Sequence, residues 1–131
     1  MKVTRACDYA IRALLYMSGK PRGTVFMRSE LSKLSEVPDS FLGKILQNLA
    51  KADILVSERG KKGGFRLEKN PDDISMYDVL LAIDGELQIT DCLADIFYCK
   101  KVDYCKVHLV WEEIQLSIID KMKKTSIKDL F

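Results

Sequence analysis

Two short amphipathic stretches, a proline between them and a basic, glycine-rich loop follow one another in "SELSKLSEVPDSFLGKILQNLAKADILVSERGKKGGFRLEK", and this order limits the fold more than any other feature of the chain. "SELSKLSEV" reads as a short helix, with Ser29 as its cap and Leu31 and Leu34 pointing inward. "EVP" breaks it. "DSFLGKILQNLAKA" reads as a second helix that buries Phe41, Leu42, Ile45, Leu46 and Leu49. Its outer face offers Ser40, Gly43, Lys44, Gln47, Asn48 and Lys51. Two helices joined by a tight break form a helix-turn-helix pattern. Many helical domains contain such a pair, and the next residues narrow the choice. "ILVSERGKKGGFRLEK" alternates as a hairpin, with strands over 54–58 and 65–68. The connection "RGKKGG" carries three glycines and three cations. Glycines permit backbone conformations closed to other residues. Such a loop can lie close along a phosphate backbone, or enter a minor groove with an arginine or lysine at its tip. A hairpin directly after a helix-turn-helix is a wing.

The flanking segments are helical. In "TRACDYAIRALLYMS", apolar residues recur at three and four; Thr4 is the expected cap, and Gly19 with Pro21 the stop. "VFM" reads as a short strand or as the lead into the next helix. In "NPDDISMYDVLLAIDG", Ser75 caps a helix that buries Met76, Val79, Leu80 and Ile83, and Gly85 ends it. "KVHLVWEEIQLSIIDKMKK" is a long helix with a stripe of Val107, Val110, Trp111, Ile114, Ile118 and Met122, widened by Leu109, Leu116 and Ile119. So broad a face exceeds what one small domain needs to cover, and a second copy of the chain is the simplest partner.

Charge is sorted along the chain although the net charge is only +2. Residues 1–28 hold six basic and one acidic residue, 41–69 seven basic and three acidic, and 72–95 seven acidic and no basic. The first half can therefore present a basic surface to a polyanion. A length of 131 residues suits one domain with one core and an appended helix. No run of eighteen apolar residues occurs, so no membrane span is expected. Arg5, Asp8 and Arg12 interrupt the apolar pattern that a secretory signal requires, and the segment reads as a mature N-terminus of a cytoplasmic protein.

In a reducing compartment, four cysteines point to metal or redox chemistry rather than to a disulfide framework. Three of them and the only histidine fall in one stretch, Cys92-x6-Cys99-x5-Cys105-x2-His108, expected to be mostly loop. Iron–sulfur clusters are held by thiolates with occasional histidine replacement, and this loop supplies three thiols. Structural zinc of the Cys3His type is an alternative, although the tight Cys-x2-Cys pair common in such sites is absent. A Cys–His pair can also act as nucleophile and base. No third orienting residue or phosphate loop accompanies it, so no catalytic residue is assigned and no enzyme is expected. Cys7 reads as an ordinary small core or surface residue.

These residues, above all "DYAIRALLYM", "VPDSFLGKILQNLAKADIL", "SERGKKGGFRLEKNPDDISMYDVLLAIDG" and the cysteine spacing, resemble the Rrf-two family of winged-helix transcriptional regulators, including its iron–sulfur members of the IscR and NsrR type. The similarity covers nearly the whole chain. The expected fold is mainly α with a small β-hairpin wing: a winged helix-turn-helix DNA-binding domain over 1–85, a cysteine-bearing loop over 86–105, and a dimerisation helix with a C-terminal tail over 106–131. The resemblance implies a homodimeric repressor that reads a double-stranded DNA operator with dyad symmetry. The second helix of each helix-turn-helix would enter a major groove, and each wing would reach a flanking minor groove. By position, Ser40, Phe41 and Gly43 fall among contacts at the start of the recognition helix, with Lys44 beside them. Arg59 and Gly60 match the wing motif, continued by Lys61 and Lys62. IscR-like members often carry glutamate where this chain has Gly43. A glutamate can accept from a cytosine amino group and a glycine cannot, so the operator sequence does not carry over. The resemblance further implies a [2Fe-2S] or [4Fe-4S] cluster on Cys92, Cys99 and Cys105. Its fourth ligand would be His108, as in IscR-like proteins, or Asp8 reaching across the dimer, as in NsrR-like ones. The cluster would control DNA affinity in response to redox state, nitric oxide or iron–sulfur status. A zinc-binding or cluster-free thiol-based winged-helix regulator is the alternative, and a Cys/His-dependent redox enzyme the third reading.

Overall fold

Thr4 opens the first helix, its hydroxyl accepting the Cys7 N–H at 3.2 Å. In the computed structural model, which describes residues 2–60, 63–95 and 97–131, this helix (α1) spans Arg5–Ser18 and buries Cys7, Ala10, Ala13, Leu14 and Met17. Two helices follow, α2 (Arg28–Ser35) and α3 (Asp39–Lys51). Glu36 turns the chain between them with a left-handed φ of 59°, and Pro38 occupies the cap position of α3. Two local expectations fail here. α2 starts at Arg28 with Met27 in the cap position and no side-chain cap, so Ser29 lies inside the helix. Leu34 is 53% exposed, and the turn brings Val37 into the core instead. On so short a helix only one stripe meets α1 and α3, and Leu31 fills it.

α3 buries Leu42, Ile45, Leu46 and Leu49. Strand β1 (Leu55–Glu58) pairs antiparallel with β2 (Gly64–Leu67), with Leu55 opposite Leu67 and Glu58 opposite Gly64. Phe26 joins them through a single bridge to Phe65, with hydrogen bonds of 2.8 and 2.9 Å in the two directions. This third chain explains Gly64, since a Cβ there would lie only 2.2 Å from the Phe26 carbonyl oxygen. Gly60, with φ of 109°, begins the turn of the hairpin. Lys61 and Lys62 lie outside the described residues.

α4 (Met76–Ile83) begins with a capping box, as Ser75 Oγ accepts from Asp78 N–H and the Asp78 carboxylate accepts from Ser75 N–H. Gly85, at φ 82°, follows its end. Val79 and Leu80 are buried, while Met76 and Ile83 are half-buried. The cysteine stretch holds a one-turn helix, α5 (Asp91–Ala94), and a 3₁₀ turn over Val102–Tyr104. α6 (Lys106–Lys124) then packs on α4. The chain returns to the winged head after α6. Met76 N–H donates to the Thr125 carbonyl at 2.9 Å, Ile127 N–H donates to the Ile74 carbonyl at 2.8 Å, and Ile127 is fully buried in the core. The architecture is mainly α with a two-stranded antiparallel hairpin, the winged-helix arrangement.

The apolar stripe of α6 divides in two. Ile118, Ile119 and Met122 are half-buried against the chain's own core. Val107, Leu109, Val110, Trp111, Ile114 and Leu116, nearer the helix start, are exposed. Among the described residues no helix is long and apolar enough to cross a membrane.

Candidate functional site

Cys105 sits at the cap position of α6, and its Sγ accepts the backbone N–H of His108 at 3.4 Å. The helix start thereby turns the imidazole back over the cysteine stretch. His108 Nδ1 lies 3.3 Å from the Sγ of Cys92, which is carried on α5. Thr90 Oγ1 stands 3.1 Å from the same sulfur. Just before it, Ile89 N–H donates to the Gln115 side chain at 3.0 Å and ties the start of the loop to the middle of α6. Cys92, Cys99, Cys105 and His108 all line one cavity of about 120 Å³, closed by Val102, Val107 and Trp111. All four ligands expected from the spacing are therefore gathered around one space. They surround it without converging on one point: among the described residues no group of three His, Cys, Asp or Glu side chains could hold an ion. A space of this size exceeds the share of a single water several-fold, so it suits a polyatomic occupant better than one ion. Its donors are soft thiols and an imidazole, with no carboxylate in the lining. A larger open groove of about 690 Å³, flanked by Asp72, Asp78, Lys123 and Asp129, shares no residue with this cavity and holds none of the expected ligands.

Asp8 stands apart from the cavity lining. It lies on the exposed face of α1, paired with Arg12 at 3.1 Å. Cys7, its neighbour in sequence, is fully buried. Burial foremost, then the nearby carboxylates of Asp84 and Asp8, pushes its thiol up to about 11. It remains a protonated core residue at neutral pH. Thr90 and Gln115 were not legible as site residues, because neither falls in a spacing that marks ligands.

On the winged head, Ser40 and Lys44 are exposed on α3, and Gly43 is partly exposed between them. Phe41 turns the other way: it is half-buried, edge-on to Tyr9 of α1 with ring centroids 5.0 Å apart. Arg59 and Gly60 are exposed at the end of β1. Arg66, on β2, is drawn into ion pairs with Glu58 and Glu68. That pairing leaves the exposed Arg59 better placed for an external anion.

The chain matches the family model described as "Rrf2: Iron-dependent Transcriptional regulator" over residues 3–131. An HTH-type transcriptional regulator of Aquifex aeolicus is 34% identical over 124 residues, covering 93% of this chain and 85% of the relative. An HTH-type regulator of Mycobacterium tuberculosis is 30% identical over 132 residues, covering 99% of this chain and 81% of the relative. Among solved structures, CymR of B. subtilis, the global cysteine regulator, superposes with a TM-score of 0.76 at 16% identity, covering 99% of this chain and 95% of that one. T. potens IscR superposes with a TM-score of 0.76 at 20% identity, covering 99% and 85%. At these identities the two structures support the fold, and the family match carries the function. The chain belongs to the Rrf2 (Rrf-two) family of transcriptional regulators, which bind DNA.

Proposed function

We propose that this protein is a homodimeric, cytoplasmic repressor whose affinity for a dyad-symmetric operator is set by an iron–sulfur cluster held by Cys92, Cys99, Cys105 and His108. One observation carries the reading: three thiols and the only histidine line a single cavity whose remaining walls are apolar. The donor set fits an iron–sulfur group, which when bound would supply a redox-active and small-molecule-reactive centre. The protein's own part is mechanical. α6 meets the cysteine loop over its first half, through Cys105, His108 and Gln115. At its other end it runs into the tail that is hydrogen-bonded to Ile74 and Met76 of the winged head. A change in how the loop packs on α6 can thus alter the pose of the head. Such a change shifts DNA binding only by the difference in affinity between the two poses. Ser40, Lys44, Arg59 and Gly60 lie on exposed surface suited to DNA, with Lys61 and Lys62 adding charge by sequence. Anaerobic purification tests the cofactor. A brown protein with broad visible absorbance and matched iron and sulfide supports it; a colourless protein containing zinc, or no metal, overturns it.

A cluster-free thiol regulator is the second reading. It is favoured by the separation of the donors around the cavity rather than at one point and by the likeness in fold to CymR, described as a cysteine regulator. In that reading Cys92, with Thr90 and His108 at hydrogen-bond range, is the thiol under control.

A further inference from the structure

Arg28 is the first residue of α2, yet its side chain lies on α3. Its Nη1 stands 3.1 Å from the point that a Cβ on Gly43 would occupy, and its Cδ 3.8 Å from the same point. Its Nε pairs with Asp39 in the first turn of α3 at 3.2 Å. Asp39 and Gly43 are four residues apart, so the guanidinium runs along one turn of that helix face. Both partners are 56% exposed. An ion pair this exposed contributes little to stability, and it leaves the guanidinium open to an outside partner.

We propose that Arg28 is a specificity-determining residue that reads a guanine in each half-site, in the place a side chain at position 43 would otherwise fill. This rests on the reading that α3 enters the major groove. Recognition helices contact base edges through their N-terminal residues, and Asp39, Ser40 and Gly43 form that part of α3. Asp39 holds Nε, which leaves the two Nη groups as donors. A guanine offers two acceptors, O6 and N7, at the spacing of such a fork, and arginine to guanine is the commonest specific contact. Gly43 leaves the guanidinium this room, because a carbon there would make it give way by a few tenths of an ångström. A carboxylate at this position accepts from a base; Arg28 donates to one. The readout has the opposite polarity.

The test uses the full chain purified anaerobically and a pool of randomised DNA duplexes. The wild type, Arg28→Ala, Arg28→Lys and Asp39→Asn variants are each carried through selection and sequencing. The wild type is expected to enrich guanine at one fixed position per half-site. Arg28→Ala should lose that preference, by about five- to a hundredfold at that base pair, Arg28→Lys should weaken it, and both should keep the rest of the motif. Lysine retains the charge but not the fork, so it separates base reading from phosphate contact. Asp39→Asn should weaken the preference without abolishing it. A motif left unchanged by Arg28→Lys, or a uniform loss in Arg28→Ala with a salt slope lower by about one, would make Arg28 a phosphate contact and overturn the assignment alone. A wild type that binds duplexes with no enriched motif would overturn the major-groove reading of α3 along with it.

Discussion

In the proposed cluster His108 and Asp8 compete for the fourth ligand position, and their surroundings within one chain differ. His108 lines the cysteine cavity with its Nδ1 3.3 Å from Cys92 Sγ. Asp8 is exposed on α1 and engaged by Arg12. A carboxylate is also the harder ligand, more labile on iron among thiolates. Anaerobic reconstitution of His108→Ala should therefore change the visible spectrum and shorten the lifetime of the cluster, whereas Asp8→Ala should leave both as in the wild type. A change confined to the Asp8 variant would transfer the fourth position to a partner protomer. Local cap signals were legible at Thr4 and Ser75 but misled at Ser29, which lies inside α2. Thr4 and Ser75 announce their helices by cap chemistry alone, and both hydrogen bonds are present. The four donors fall within seventeen residues, 92–108, so spacing sufficed to group them. Gln115 was not legible, because a side chain meeting a backbone N–H twenty-six positions away leaves no period to read.

At the scale of the element, the wing and α6 differ in how completely the sequence described them. The hairpin follows from alternation and glycine, and it pairs Leu55 with Leu67. Its exposed Arg59 is expected to matter for DNA in a particular way. Arg59→Ala should lower affinity, reduce the salt slope by about one, and narrow the gap between specific and random duplexes. Titrations at several salt concentrations would show this, and unchanged affinity would remove the wing from the interface. Arg66 is predicted to matter less, because Glu58 and Glu68 already hold it. α6 was legible as an amphipathic helix, but the division of its stripe was not. Periodicity reports which residues share a face, not how far along the helix the core extends. Ile118, Ile119 and Met122 meet the chain's own core, while Ile114, 40% exposed, and Val110, 52% exposed, have no such cover. A seam between protomers is thus expected over the first half of α6. Ile114→Glu would place a charge in it at a cost of several kcal/mol unless the side chain escapes to water. Sedimentation should show monomers or aggregates in place of dimers. A clean dimer with this substitution would place the seam elsewhere.

At the scale of the molecule, the chain is closed by its own tail. The order of elements foretold a head followed by a long helix, and nothing in the pattern of 125–131 signalled a return. Ile127 stands between polar neighbours at 125, 126, 128 and 129, and its burial depends on an edge made by Ile74 and Ser75, about fifty positions earlier. The consequence reaches function, because α6 is then attached at both ends: to the cysteine loop through Cys105 and Gln115, and to the head through residues 125–127. Ile127→Ala removes a fully buried side chain and should lower stability by about 2–5 kcal/mol, whereas Ile127→Val should cost about 0.5–1.5 kcal/mol. Stability alone does not establish a coupling role. The informative quantity is the ratio of operator affinities between cluster-loaded and cluster-free protein, measured below the melting point of each variant. If the tail carries the pose of α6 to the head, that ratio should fall toward one in Ile127→Ala and stay near the wild-type value in Ile127→Val. A ratio unaltered in a destabilised Ile127→Ala would make the tail a part of the core only. The signal would then have to pass through the direct packing of α6 on α4.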